Sequence, residues 1–154
     1  MEEEELFLSV GELIPQLCRL HYERAQSLFR ALGLWRGQPA ILGLLWEQDG
    51  RTQGELAAAL GLRPPTVTKM LRRMEGSGFI SRAPDPDDRR LVRVYLTPAG
   101  RAIREAVDAI RRQLAQESLA GLSEEELRLL GGLLRRMCLN LQRHFPGQRP
   151  CCGP

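Results

Sequence analysis

A chain of 154 residues with 43% hydrophobic and 27% charged residues has the composition of an ordinary globular protein, enough for one domain with a real core or two small lobes sharing a long helix. No apolar run approaches the roughly 18–20 residues of a membrane span, and the start MEEEE is acidic where a secretory signal is basic, so a cytoplasmic location is expected. The net charge of +3 is unevenly held: residues 51–93 carry nine Lys or Arg against five Asp or Glu, the remainder thirteen against fourteen, which favours a polyanionic partner at 51–93.

The first apolar series, Leu6, Val10, Leu13, Leu17 and Leu20, has the three-and-four spacing of a heptad seam. It predicts a long amphipathic helix to about Leu32, stopped at Gly33, with Pro15 marking either a kink or a late start. A second helix is expected over roughly 37–48, through AILGLLW, ending at Asp49–Gly50. Thr52 and Glu55 then form a capping box for a short, alanine-rich helix from Gln53 to Leu60, broken by Gly61.

The next stretch, PPTVTKMLRRMEGSG, begins with Pro64 and Pro65 in a first helical turn, where a missing N–H costs nothing. Val67, Met70, Leu71 and Met74 fall on one buried face, and Thr66, Lys69, Arg72 and Arg73 on the other. A short helix, a glycine-containing turn and a second helix with a polar front make a helix-turn-helix pattern.

After Gly78 the period changes to two: FISRA (79–83) and LVRVYL (91–96) flank PDPDDRR, a hairpin with a charged tip. Thr97 and Pro98 open a helix to about Leu119 through Ile103, Val107, Ile110 and Leu114. Ser123 with Glu126 is a second capping box, reinforced by a Leu122–Leu127 staple, and Leu127, Leu130, Leu134, Met137 and Leu141 form another seam. The terminal helices cannot bury such seams on so small a central lobe; they need one another and a second copy of the chain. The tail PGQRPCCGP reads as disordered, leaving Cys151 and Cys152 exposed and oxidisable.

The chemistry of an enzyme is not written here. Two histidines, no C-x-x-C pair and no nucleophile–base motif leave no catalytic site, no metal site and no cofactor to expect.

Gln38, Ile41-Leu42-x-Leu44, TQGELAAALGL, PPTVTKMLRRMEGSGFISR, DPDDRR and LTPAGR, in this order and spacing, resemble the multiple-antibiotic-resistance regulator (MarR) family of winged helix-turn-helix transcription factors. The resemblance implies a mainly α fold with a small β wing: an N-terminal dimerisation helix (1–34), a winged helix-turn-helix DNA-binding lobe (35–97), C-terminal dimerisation helices (98–145) and the tail (146–154). It implies a homodimeric regulator, by family habit a repressor, whose two recognition helices enter major grooves about 10 base pairs apart on a pseudo-palindromic operator.

In that reading Pro64–Gly76 is the recognition helix. Arg63, Pro65, Thr66, Thr68 and Lys69 face base edges and phosphates, and Arg72 and Arg73 lie nearer the backbone. Relatives commonly hold serine where this chain has Arg63, a change that removes a helix cap and adds a cation. Arg90 is implied as the wing-tip residue in the minor groove, with Asp88 bracing the wing through an ion pair and Arg89 on phosphate; Asp85 and Asp87 read as turn formers only.

Two switches remain open. Family members mostly release DNA on binding a small aromatic or phenolic anion between the DNA lobe and the dimer helices, for which His21, Arg24, Trp35 and Arg36 are candidates, Trp35 being equally suited to core or interface. The alternative is a thiol switch at Cys18: L-C-x-x-x-Y (Leu17, Cys18, Tyr22) and LLWE are similar to the organic-hydroperoxide-sensing branch. Against it, Cys18 lies about two helical turns too close to Gln38, and Arg36 and Gly37 stand where the activating tyrosine belongs. A different class, a non-specific architectural DNA-binding protein, would show more diffuse basicity.

Overall fold

Helix α1 (Glu2–Arg30) runs without a break through Pro15 in the computed structural model, which describes residues 2–145 and so leaves the tail, with Cys151 and Cys152, outside the described residues. Proline there removes the donor to the carbonyl of Gly11, but residues 3–24 are exposed, so water reaches that acceptor and the helix survives. The apolar side chains of its first five turns, among them Leu6, Val10, Leu13, Leu17 and Leu20, stand in solvent in the single chain.

Helices α2 (Gln38–Glu47), α3 (Gln53–Leu60) and α4 (Pro64–Gly76) follow, then strands β1 (Ile80–Pro84) and β2 (Val92–Leu96). The helix expected from Pro98 to Leu119 is divided at Ile103 into α5 (Pro98–Ala102) and α6 (Arg104–Ser118). Ile103 keeps helical φ but has ψ −10°, a local tightening across which its N–H still reaches Ala99 and Val107 still reaches its carbonyl. Helix α7 (Glu124–His144) ends the described chain and, among those residues, buries none of its side chains.

The core sits between α2, α3, α4 and the hairpin. Ile41, Leu42, Leu45, Leu56, Val67, Leu71, Met74, Ile80 and Val94 are sealed from solvent, with Phe29 of α1 and Val107 of α6 closing the cluster from outside residues 35–97. Strands β1 and β2 pair antiparallel from Ile80 opposite Leu96 to Pro84 opposite Val92, turning Ile80, Val94 and Leu96 inward. The far edge of β2 is covered by the α2–α3 turn: Gly50 donates to the Val94 carbonyl at 3.0 Å, and Val94 donates to Arg51 at 2.9 Å. Among the described residues no helix is long and apolar enough to cross a membrane.

Candidate nucleic-acid interface

Helix α4 is held from behind and open in front. Val67, Leu71 and Met74 are buried, whereas Arg63, Pro65, Thr66, Lys69, Arg72 and Arg73 are all exposed. Arg63 occupies the N-cap position in extended conformation and makes no side-chain cap bond. With prolines at the next two positions, the first amides of the helix are absent, and those of Thr66 and Val67 turn back to the Arg63 carbonyl at 3.0 and 3.2 Å. An anion at this helix start would therefore meet side-chain cations rather than the backbone N–H groups that usually serve.

Thr68 differs from its neighbours on the front. Its hydroxyl donates to the Pro64 carbonyl at 3.0 Å and accepts from Gln53 Nε2 at 3.2 Å, tying the start of α3 to α4. The same Gln53 accepts from Arg82 of β1 through Oε1 at 3.4 Å, and Arg82 in turn grips Glu75. The Arg82 guanidinium holds the Glu75 carboxyl below its usual range. Helix α3 begins at the expected box, Thr52 Oγ1 accepting from the Glu55 N–H at 3.1 Å and the Glu55 carboxylate from the Thr52 N–H at 2.7 Å. It stops at Gly61, whose φ of +63° is the left-handed cap that a side chain would strain.

The wing loop is organised by Asp85. Its Oδ1 accepts the N–H groups of Asp87 and Asp88 at 2.8 and 2.9 Å, its own N–H donates to Leu91, and its Oδ2 receives Arg93 of β2. The two amides and then Arg93 hold this carboxyl well below the ordinary range. Asp85 is thus more than a turn former: at 3% exposure it is the most deeply placed carboxylate of the wing, because it answers three donors at once. Asp88 pairs with Arg90: Nε and Nη2 reach the two carboxylate oxygens at 3.0 Å each, while the Arg90 side chain stays 90% exposed. Arg89 is exposed beside it.

The four residues offered for an effector are dispersed in their engagements. His21 is exposed on α1. Arg24 makes a two-pronged bond to Glu117 of α6, at 2.6 and 2.7 Å, and with Gln113 draws the Glu117 carboxyl down to about 2. Arg36 lies over the Tyr22 ring at 5.1 Å. Trp35 is 50% exposed rather than core, the buried seat at this turn going to Leu34. It lines, with Arg73 of α4 and Ser77 just after that helix, a cleft of about 400 Å³. Cys18 is exposed on α1, one helical turn from Tyr22.

Gln53, Glu75, Arg82, Asp85 and Arg93 escaped the sequence reading as working residues. A signal was present for Arg82: it shares the inward parity of Ile80 on β1, and a charge on an inward strand position requires a partner.

A family model described as the MarR family matches residues 35–92. An uncharacterized HTH-type transcriptional regulator of Bacillus subtilis (strain 168), YdgJ, is 33% identical over 131 residues, covering 85% of this chain and 80% of its own. The HTH-type transcriptional repressor IacR of Pseudomonas putida is 29% identical over 133 residues, covering 82% of this chain and 77% of its own. Among solved structures, a cysteine-to-serine mutant of MarR from E. coli complexed with operator DNA superposes with a TM-score of 0.74 at 27% identity, covering 85% of this chain and 94% of that one.

Proposed function

This chain belongs to the MarR family of winged helix-turn-helix transcriptional regulators, a family of regulators and not of enzymes, and on that premise we propose that it is a homodimeric repressor of a pseudo-palindromic operator. The observation that carries the DNA-binding part is α4 itself: a helix anchored by Val67, Leu71 and Met74 whose opposite face is cationic and makes no use of its charges within the chain's core. That E. coli MarR is complexed with operator DNA through the same fold supports the reading, as does the repressor IacR among the relatives.

In this reading α4 enters the major groove. Arg63, Pro65, Thr66 and Lys69 meet base edges and phosphates, Arg72 and Arg73 meet the backbone, and Thr68 acts through its hydrogen bonds rather than by reaching DNA. Arg90 enters the minor groove with Asp88 aiming its guanidinium, and Arg89 meets phosphate. Residues 35–97 form the DNA lobe, while α1 with α5–α7 supplies the dimer body. The exposed seams of α1 and α7 support a second copy, because leaving Leu6, Leu13, Leu17, Leu134 and Leu141 in water forgoes about 1.5–3 kcal/mol for each fully buried side chain. Such a protein works in the cytoplasm, at the nucleoid.

The effector in this proposal is a small aromatic or phenolic anion, held where Trp35 offers a ring face and Arg36 and His21 offer positive or hydrogen-bonding groups. At Arg24 an anion has to displace Glu117. A thiol switch at Cys18 is the second reading, favoured by the exposure of that cysteine.

The test is competition binding of the full-length protein to DNA upstream of its own gene, against unrelated duplex and across a salt series. Specific regulation predicts that unrelated DNA fails to compete at equal concentration. Equal competition would make the protein an architectural DNA binder. Repeating the binding with organic hydroperoxide, in wild type and Cys18→Ser, separates the two switches.

A further inference from the structure

We infer that Arg93 is the positioning residue of the wing, holding Arg90 in register for the minor groove without touching DNA itself; this rests on the DNA-binding reading above. Three observations converge on Arg93. It sits on β2 opposite Ala83 in the hairpin ladder, while its backbone bridges Thr52 on the other side. Its Nε meets Asp85 Oδ2, and its Nη1 donates to the Gly50 carbonyl at 2.8 Å. One guanidinium thereby joins the base of the wing loop to the α2–α3 turn.

Both ends of that link are themselves fixed. Asp85 carries the turn that presents Asp88, and Asp88 carries Arg90, so the chain of contacts runs Arg93, Asp85, Asp88, Arg90 in three consecutive bonded steps. At the other end Asp49, beside Gly50, accepts the Leu96 N–H at 2.9 Å and receives Arg101 of α5 at 2.8 Å. A two-stranded hairpin is marginal by itself and swings at its base unless braced. Arg93 supplies the brace: two of its N–H donors are engaged within the protein and its charge is paired with Asp85.

The test is a double-mutant cycle on duplexes that the full-length wild-type protein enriches from a random library. Arg93→Ala and Arg90→Ala should each weaken binding about tenfold or more, and the double variant should be no weaker than Arg90→Ala alone, within about twofold. Asp85→Asn, which keeps an acceptor for the two amides and removes the charge facing Arg93, should weaken binding in the same direction and be equally silent in the Arg90→Ala background. Within that background Arg93→Ala should leave the salt slope unchanged.

Additive losses, or a further drop of about one in the salt slope on removing Arg93, would show that Arg93 meets phosphate directly and overturn the assignment. Loss of enrichment by the wild type would overturn the DNA-binding reading, and this inference with it. Melting curves of Asp85→Asn and Arg93→Ala, matched to wild type within a few degrees, tie the losses to the wing and not to the fold.

Discussion

Arg82 of β1 meets Glu75 of α4 at three points: its backbone N–H at 3.3 Å, Nε at 3.1 Å and Nη2 at 2.7 Å. The pair joins the end of α4 to β1, the first strand of the hairpin. Arg82 is only 23% exposed, and removing its partner leaves a half-buried guanidinium short of acceptors. Glu75→Ala should lower stability by about 1 kcal/mol and the melting temperature by about 2–4 °C, measured by thermal unfolding followed by circular dichroism. A variant that melts with wild type would show the pair to be an ordinary surface contact.

Of the described glycines, Gly100 on α5 leaves the least room for a side chain. A Cβ built there lies 2.0 Å from the Phe79 carbonyl oxygen, and the Gly100 carbonyl is itself the acceptor of Trp46 Nε1 at 2.9 Å. The nearest obstruction is backbone, which cannot swing aside as a flexible side-chain end would. Gly100→Ala should therefore cost about 1–3 kcal/mol, read from urea unfolding at constant protein concentration. Unchanged unfolding would mean that α5 shifts freely on the hairpin.

The Arg24–Glu117 bond between α1 and α6 gives a pH signature. Arg24 first, then Gln113, lowers the Glu117 carboxyl from 4.5 to about 2 in the folded chain. A depressed carboxylate stabilises the fold fully above its unfolded value and loses that contribution as the pH falls toward its folded one. The difference in melting temperature between wild type and Glu117→Gln should thus be constant above about pH 5 and shrink between 4.5 and 2. Both groups are partly exposed, so the difference should also shrink in 1 M salt. A gap that persists at pH 2 would assign it to packing rather than charge.

Arg63 offers two effects of opposite sign. It stands at an N-cap position, φ −68° and ψ 140°, without capping. Arg63→Ser should stabilise the free protein by about 0.5 kcal/mol, modest because Pro65 has no N–H to be capped, while reducing DNA affinity and lowering the salt slope by about one. Melting and salt-dependent binding measure both. A stabilised variant with undiminished affinity would remove Arg63 from the interface.

Much of this architecture was legible in the chain because it is local. The boxes at Thr52–Glu55 and Ser123–Glu126 span three residues each, and both close as their spacing requires. Val67, Leu71 and Met74 lie buried at helical spacing, and the hairpin strands fall within a residue of where alternation put them. What sequence did not disclose is long-range: Arg82 finds Gln53 29 residues away, and Arg93 finds Gly50 43 residues away. No periodicity encodes such pairs. The late start offered at Pro15 and the single helix expected through Ile103 failed for a related reason, since whether a helix continues past a proline or an apolar series stays one helix depends on what surrounds it.

The most direct test of the central claim is a hydroxyl-radical and guanine-methylation footprint of the full-length protein on a duplex it enriches from a random library. A dimer reading DNA with α4 and Arg90 predicts two methylation-protected major-groove segments about 10 base pairs apart, flanked by minor-groove protections that vanish in Arg90→Ala. A single continuous protection without preferred sequence, unchanged by Arg90→Ala, would contradict it.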